Sequence, residues 1–130
     1  MIGSKELNMS RVVHFEISVD DMQRAVKFYK TALGWEISKW DGPQEYWLVS
    51  TGSREEPGID GGLMQRDEKF PPVVNTIDVQ NLDEAIKKVV ENGGKIAVDK
   101  MPVPGVGFMA YCLDTEGNMF GMMESNMSAE

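Results

Sequence analysis

The run Asp21-Met22-Gln23-Arg24-Ala25 has a counterpart in Asn81-Leu82-Asp83-Glu84-Ala85, 60 positions on (21 to 81), and Gly58 has one in Gly117, 59 positions on (58 to 117). An internal repeat of this length means that one supersecondary unit is used twice, which removes most fold classes from consideration. The unit can be read from its periodicities. Arg11–Val19 is rich in β-branched residues and ends in Asp20-Asp21, the pattern of a strand running into a helix cap. Met22, Ala25, Val26, Tyr29 and Leu33 then recur at helical spacing. Asp20 with Gln23 forms a capping-box pattern, and Gly34 supplies the stop. Trp35–Trp40, Tyr46–Thr51 and Ile59–Gln65 are strand-length segments separated by Asp41-Gly42-Pro43 and Ser53–Gly58. The first half therefore reads βαβββ.

The second half repeats that order. Val73–Val79 reads as a strand, and Asn81 with Glu84 caps a helix whose apolar face is Leu82, Ala85, Ile86, Val89 and Val90, ending at Gly93-Gly94. Lys95–Val98, Gly107–Leu113 and Asn118–Glu124 follow as strands. Met101–Gly107 reads as a connector or lid, with Pro104-Gly105 suited to a type II turn. Pro71-Pro72 marks the junction. The expectation is an α+β chain of tandem βαβββ modules, 11–66 and 71–125, within one domain spanning 1–130.

Composition narrows the partners. Thirteen basic against twenty-one acidic residues give a net charge of −8, which disfavours nucleic acid and anionic lipid. No apolar stretch reaches the ~18 residues of a membrane span, and Met1–Glu6 has no apolar leader run. Cys112 is the sole cysteine, so there is neither a disulfide framework nor a cysteine metal cluster, which fits a reducing, cytoplasmic setting. Phosphate loops, Cys-x-x-Cys, His-Glu-x-x-His and Gly-x-Ser-x-Gly motifs are all missing.

His14–Asp21, Phe28-Tyr29 and Leu33-Gly34-Trp35, together with Pro104–Gly107 and Asp114–Gly121, resemble the opening and closing modules of the glyoxalase and bleomycin-resistance (vicinal oxygen chelate) superfamily. The resemblance implies a mixed sheet curled into a cup, with ligand or metal held by inward side chains, two from each module. Carried over, the first-strand position is His14 and the closing-strand position is Glu124. The repeat adds Gln65 and Val74. Val74 has no donor, and its neighbour Asn75 belongs to the other face. The implied metal set is thus His14, Gln65 and Glu124 around a divalent ion such as Zn²⁺, Ni²⁺, Mn²⁺ or Fe²⁺. Glu124 is the candidate catalytic base as well as a ligand. Trp40, Tyr46, Trp47, Met64, Met109 and Met122, with Met123 beside them, are expected to line or back the pocket.

Two functions follow from this resemblance. One is a metal-dependent lyase or isomerase using Glu124. The other is a metal-free protein that binds or sequesters a small molecule such as an antibiotic. Both imply a small-molecule ligand and a homodimer.

Overall fold

The computed structural model describes residues 9–129; Met1–Glu6 lie outside them. Strand β1 (Val12–Val19) leads into helix α1 (Met22–Leu33), then β2 (Glu36–Lys39), β3 (Tyr46–Ser50) and β4 (Asp60–Gln65). The order recurs as β5 (Val73–Asp78), α2 (Leu82–Glu91), β6 (Lys95–Val103), β7 (Gly107–Leu113) and β8 (Met119–Ser125). The strands form one eight-stranded sheet in the order β2-β3-β4-β1-β5-β8-β7-β6. Within each half the first and last strands are parallel, and the two halves meet at the antiparallel pair β1–β5. The architecture is the mixed α+β sheet with two helices that the repeat implies.

The helices begin and end where their caps dictate. Asp21 and Asn81 accept from the backbone N–H of Arg24 and Glu84 at 3.0 Å, meeting helix-end donors that would otherwise lack partners. Gly34, at φ 73°, closes α1 in the left-handed conformation that glycine adopts without steric cost.

Strand alternation then decides what each face carries. Phe15, Ile17, Val19, Ile37, Val49 and Leu63 pack with Met22, Ala25, Val26 and Tyr29 of α1. Ile77, Phe108, Ala110, Cys112, Phe120 and Met122 pack with Leu82, Ala85, Ile86 and Val89 of α2. Both helices cover the same side of the sheet. Glu16 and Val74, opposite one another across β1–β5, lie on the other, inner face.

One expected boundary moves. Strand β6 runs on to Val103, through Met101 and Pro102, residues that the sequence pattern assigns to the connector. It is an edge strand with register shifts near Ile96–Met101, where a proline need not donate to a ladder. The connector shrinks to Pro104-Gly105-Val106, with Gly105 at φ 74°.

Candidate functional site

On β1 the inward residues after Val12 are His14, Glu16 and Ser18. Opposite them on β5 lie Thr76 and Val74, and beside them on β4 lie Asp60, Gly62 and Met64. A methyl group at Gly62 would overlap the ring of Tyr46, and one at Gly121 would crowd Thr76 Oγ1 at 3.0 Å and the Tyr111 ring at 3.3 Å. These glycines occupy repeat-equivalent positions, 59 residues apart. Each leaves room for a tyrosine to lie across the sheet toward the central strands.

One tyrosine meets a buried carboxylate and the other a histidine, two residues apart on β1. Glu16, only 7 % exposed, accepts a 2.6 Å hydrogen bond from the Tyr111 hydroxyl. The Tyr46 oxygen lies 2.6 Å from His14 Nε2. Strand β7 is three strand spacings from β1, about 14 Å in a flat sheet. The Tyr111–Glu16 bond closes that gap because the sheet curls. Burial, reinforced by the Glu16 charge, pushes both phenols well above their ordinary range, so they stay protonated and act as donors. Burial likewise lowers the His14 pKa against the opposing pull of Glu16 and Asp60.

The two halves of the inner face differ. Around β5, β7 and β8 it is filled by Val74, Met109 and Tyr111, with Phe70, Met101, Met119 and Met123 packed on them. On the first half it stays open, as a groove of about 460 Å³ whose lining includes His14, Ser38, Leu48, Ser50 and Asp60. Trp40 packs edge-on against Tyr46, with ring centroids 6.1 Å apart.

Several residues singled out in the sequence stand elsewhere. His14, Trp40, Tyr46, Met64, Met109 and Val74 are on or beside the inner face. Glu124 is not: it follows Phe120 and Met122 onto the helix side, where its Oε1 accepts from the N–H of Leu82, the first residue of α2, at 2.8 Å. Gln65 is two residues past Leu63 on the α1 side, and its Nε2 donates to the carbonyl of Asp20 at 3.1 Å. Gln65 and Glu124 are equivalent, as the repeat indicates, but each serves the start of its own helix. Trp47 and Met122 belong to the helix-side clusters for the same reason of alternation.

The expected convergence of His14, Gln65 and Glu124 therefore does not occur. The inward positions of the closing strands beside Glu16 and Thr76 are Gly62 and Gly121, which carry no donor. Among the described residues no three His, Cys, Asp or Glu side chains come together as a metal would need. His14 Nε2, moreover, is already engaged with Tyr46. The donor set does not fit the implied divalent ion.

Glu16 and Tyr111 escaped sequence reading. The usable signal was a carboxylate two residues from His14 in an otherwise apolar strand, which period-two alternation places on the face of His14.

Residues 11–52 match the family described as bleomycin resistance protein-like N-terminal. A glyoxylase-like domain-containing protein of Didymella fabae is 32 % identical over 111 residues, covering 79 % of this chain and 84 % of that protein. The glyoxylase-named protein CFP32 of Mycobacterium tuberculosis is 26 % identical over 117 residues, 85 % of this chain, but the chain spans only 44 % of its length. Among solved structures, methylmalonyl-CoA epimerase from Mycobacterium tuberculosis superimposes with a TM-score of 0.67 at 16 % identity, covering 88 % of this chain and 87 % of that one.

Proposed function

The chain belongs to the glyoxalase and bleomycin-resistance (vicinal oxygen chelate) superfamily, and on that premise we propose that it binds a small molecule in the inner-face groove without a family-type metal centre. One observation carries the reading: the polar centre of the sheet is held by two protein–protein pairs, His14 with Tyr46 and Glu16 with Tyr111, while Gln65 and Glu124 face the helices. A groove with apolar walls, here including Leu48, and a few converging polar groups, here His14, Ser38, Ser50 and Asp60, is the usual form of a ligand site. The net charge of −8 favours cationic ligands.

Bleomycin, cationic and aromatic, is the first probe. Trp40 packs on Tyr46, which bonds the groove residue His14, so binding is expected to change tryptophan fluorescence, and Trp40→Phe should remove that change. In parallel, Zn²⁺, Ni²⁺, Mn²⁺ and Fe²⁺ are expected neither to raise the melting temperature nor to copurify stoichiometrically. A stoichiometric ion lost on His14→Gln would defeat the metal-free reading.

A second reading, a lyase or isomerase, is favoured by the buried carboxylate Glu16, which replaces Glu124 as the candidate base. Exchange of a substrate proton with solvent, tested on methylmalonyl-CoA and lost in Glu16→Gln, would support it over simple binding.

We read the chain as one domain with modules 11–66 and 71–125, a reading supported by the recurrence of βαβββ. A homodimer is supported by apolar side chains left exposed on α1, Phe28 and Leu33, and light scattering at micromolar concentration tests it. No helix among the described residues is long and apolar enough to cross a membrane. A cytoplasmic setting is supported by the reduced state expected of Cys112, which fractionation of the native host would check.

A further inference from the structure

Three apolar side chains that stand open to solvent, Val12, Val13 and Ile59, come together at one place. They line a cavity of about 420 Å³ between the start of β1 and the loop that joins β3 to β4. A water molecule takes about 30 Å³ of the liquid, so the space admits an organic molecule rather than a few waters, and its size is that of a ligand pocket. Arg11 and Arg54 line it as well.

The arginines set this cavity apart from the rest of the surface. The chain has four. Arg24 is paired with Asp21 and Arg66 with Asp20. Arg11 and Arg54 have no ion pair among the described residues, yet both line the same cavity. Two carboxylates, Glu56 and Asp60, share its wall, but each is engaged with the loop backbone. Glu56 Oε1 accepts from the N–H of Ser53 at 3.4 Å, and Asp60 Oδ1 accepts from that of Thr51 at 2.8 Å. They hold the loop and leave both guanidinium groups without an acceptor.

The Ser53 hydroxyl, also in the wall, accepts from the Glu55 N–H at 3.2 Å, so its own proton is available to a further acceptor. Donors of this kind match an oxyanion, which a guanidinium holds through two parallel bonds. Two arginines and two carboxylates leave the wall near neutrality, so the match is to one anionic group and not to a polyanion.

We propose that this cavity is a second binding site, taking a small organic oxyanion whose charged end is held by Arg11 and Arg54 and whose apolar body lies on Val12, Val13 and Ile59. The cavity meets the inner-face groove at Asp60, which lines both, but its occupancy does not depend on what the groove binds. Its preference is opposite in sign to the one drawn from the charge of the whole chain.

Phenyl phosphate and benzoate are the probes, with benzyl alcohol and benzylamine as neutral and cationic counterparts of similar size. The four arginine Nε–H signals in ¹⁵N spectra at mildly acidic pH are assigned by single Arg→Gln variants. Either anion should move the signals of Arg11 and Arg54 and leave those of Arg24 and Arg66 in place. The tighter of the two decides between a phosphate and a carboxylate ligand. Benzyl alcohol should bind more weakly, and benzylamine should not bind.

Arg11 and Arg54 are exposed, so their replacement leaves the fold intact. Arg11→Gln and Arg54→Gln should each weaken the anion about fivefold, the effect of an exposed ion pair, and added salt should weaken it in the native protein. Arg24→Gln, and His14→Gln in the groove, should leave it unchanged. Neither anion binding at millimolar concentration would overturn the proposal. So would binding that leaves the Arg11 and Arg54 signals unmoved, benzyl alcohol or benzylamine binding as tightly as the anions, or anion binding lost in His14→Gln.

Discussion

Replacing Glu124 by alanine separates a residue that caps a helix from one that works in the groove. Its Oε1 receives the N–H of Leu82 at 2.8 Å in a part-buried setting, and a hydrogen bond to a charged group contributes about 1.5–3 kcal/mol. A negative charge at a helix start contributes about 0.3–1 kcal/mol more. Asn81 keeps its own bond to the Glu84 N–H, so the helix start is weakened rather than abolished. The net loss for Glu124→Ala should be about 2 kcal/mol, near the lower part of the summed range. Glu124→Gln keeps an acceptor oxygen and loses the charge, and should cost roughly half as much. For a chain of this size 1 kcal/mol moves the melting temperature by about 4 °C, so the alanine variant should melt about 8 °C lower. Urea unfolding should show a lower midpoint with an unchanged slope. Fluorescence of the probe-bound groove below the transition should match that of the native protein. Unchanged melting with loss of groove binding would refute this reasoning and return Glu124 to the inner face.

Gly62→Ala should destabilise by about 1–3 kcal/mol, because a methyl group would overlap the Tyr46 ring, which its bond to His14 holds in place; Gly121→Ala, facing the flexible Met109 end, should cost less, and urea midpoints rank the two. Tyr111→Phe leaves a buried carboxylate short of one donor and should cost about 1.5–3 kcal/mol, measured by denaturation at neutral pH. The His14 pKa lies below its ordinary 6.5, so as pH falls through 6.5 the unfolded chain takes up a proton before the folded one. Stability held above that pH should decline below it until the folded pKa is passed, and His14→Gln should flatten that part of the profile. Cys112, fully buried and with its thiol pushed up by burial, should react with a thiol reagent only at the rate of opening.

The repeat, the two capped helices and the faces of both amphipathic segments were legible in the sequence, because each depends on spacing within a dozen residues. Val19, Met22, Val26 and Leu82 are buried where their periodicity puts them. The repeat also paired Gln65 with Glu124 correctly. What it did not determine was the face those residues occupy. One residue of register exchanges the sides of a strand, and the phase of β4 and β8 is set by Leu63 and Met122 docking under the helices, contacts 30 or more positions away in the chain. Trp47 and Met122 were misplaced for the same reason, and Met101 and Pro102 because pairing with β7 decides where an edge strand ends. The candidate site needed more still. Glu16, Tyr46 and Tyr111 come from three strands, and their pairings depend on the curl of the sheet and on two glycines that leave room for rings. The chain's local order dictates which elements form; only their packing into one curved sheet brings His14 to Tyr46 and Glu16 to Tyr111 within bonding distance.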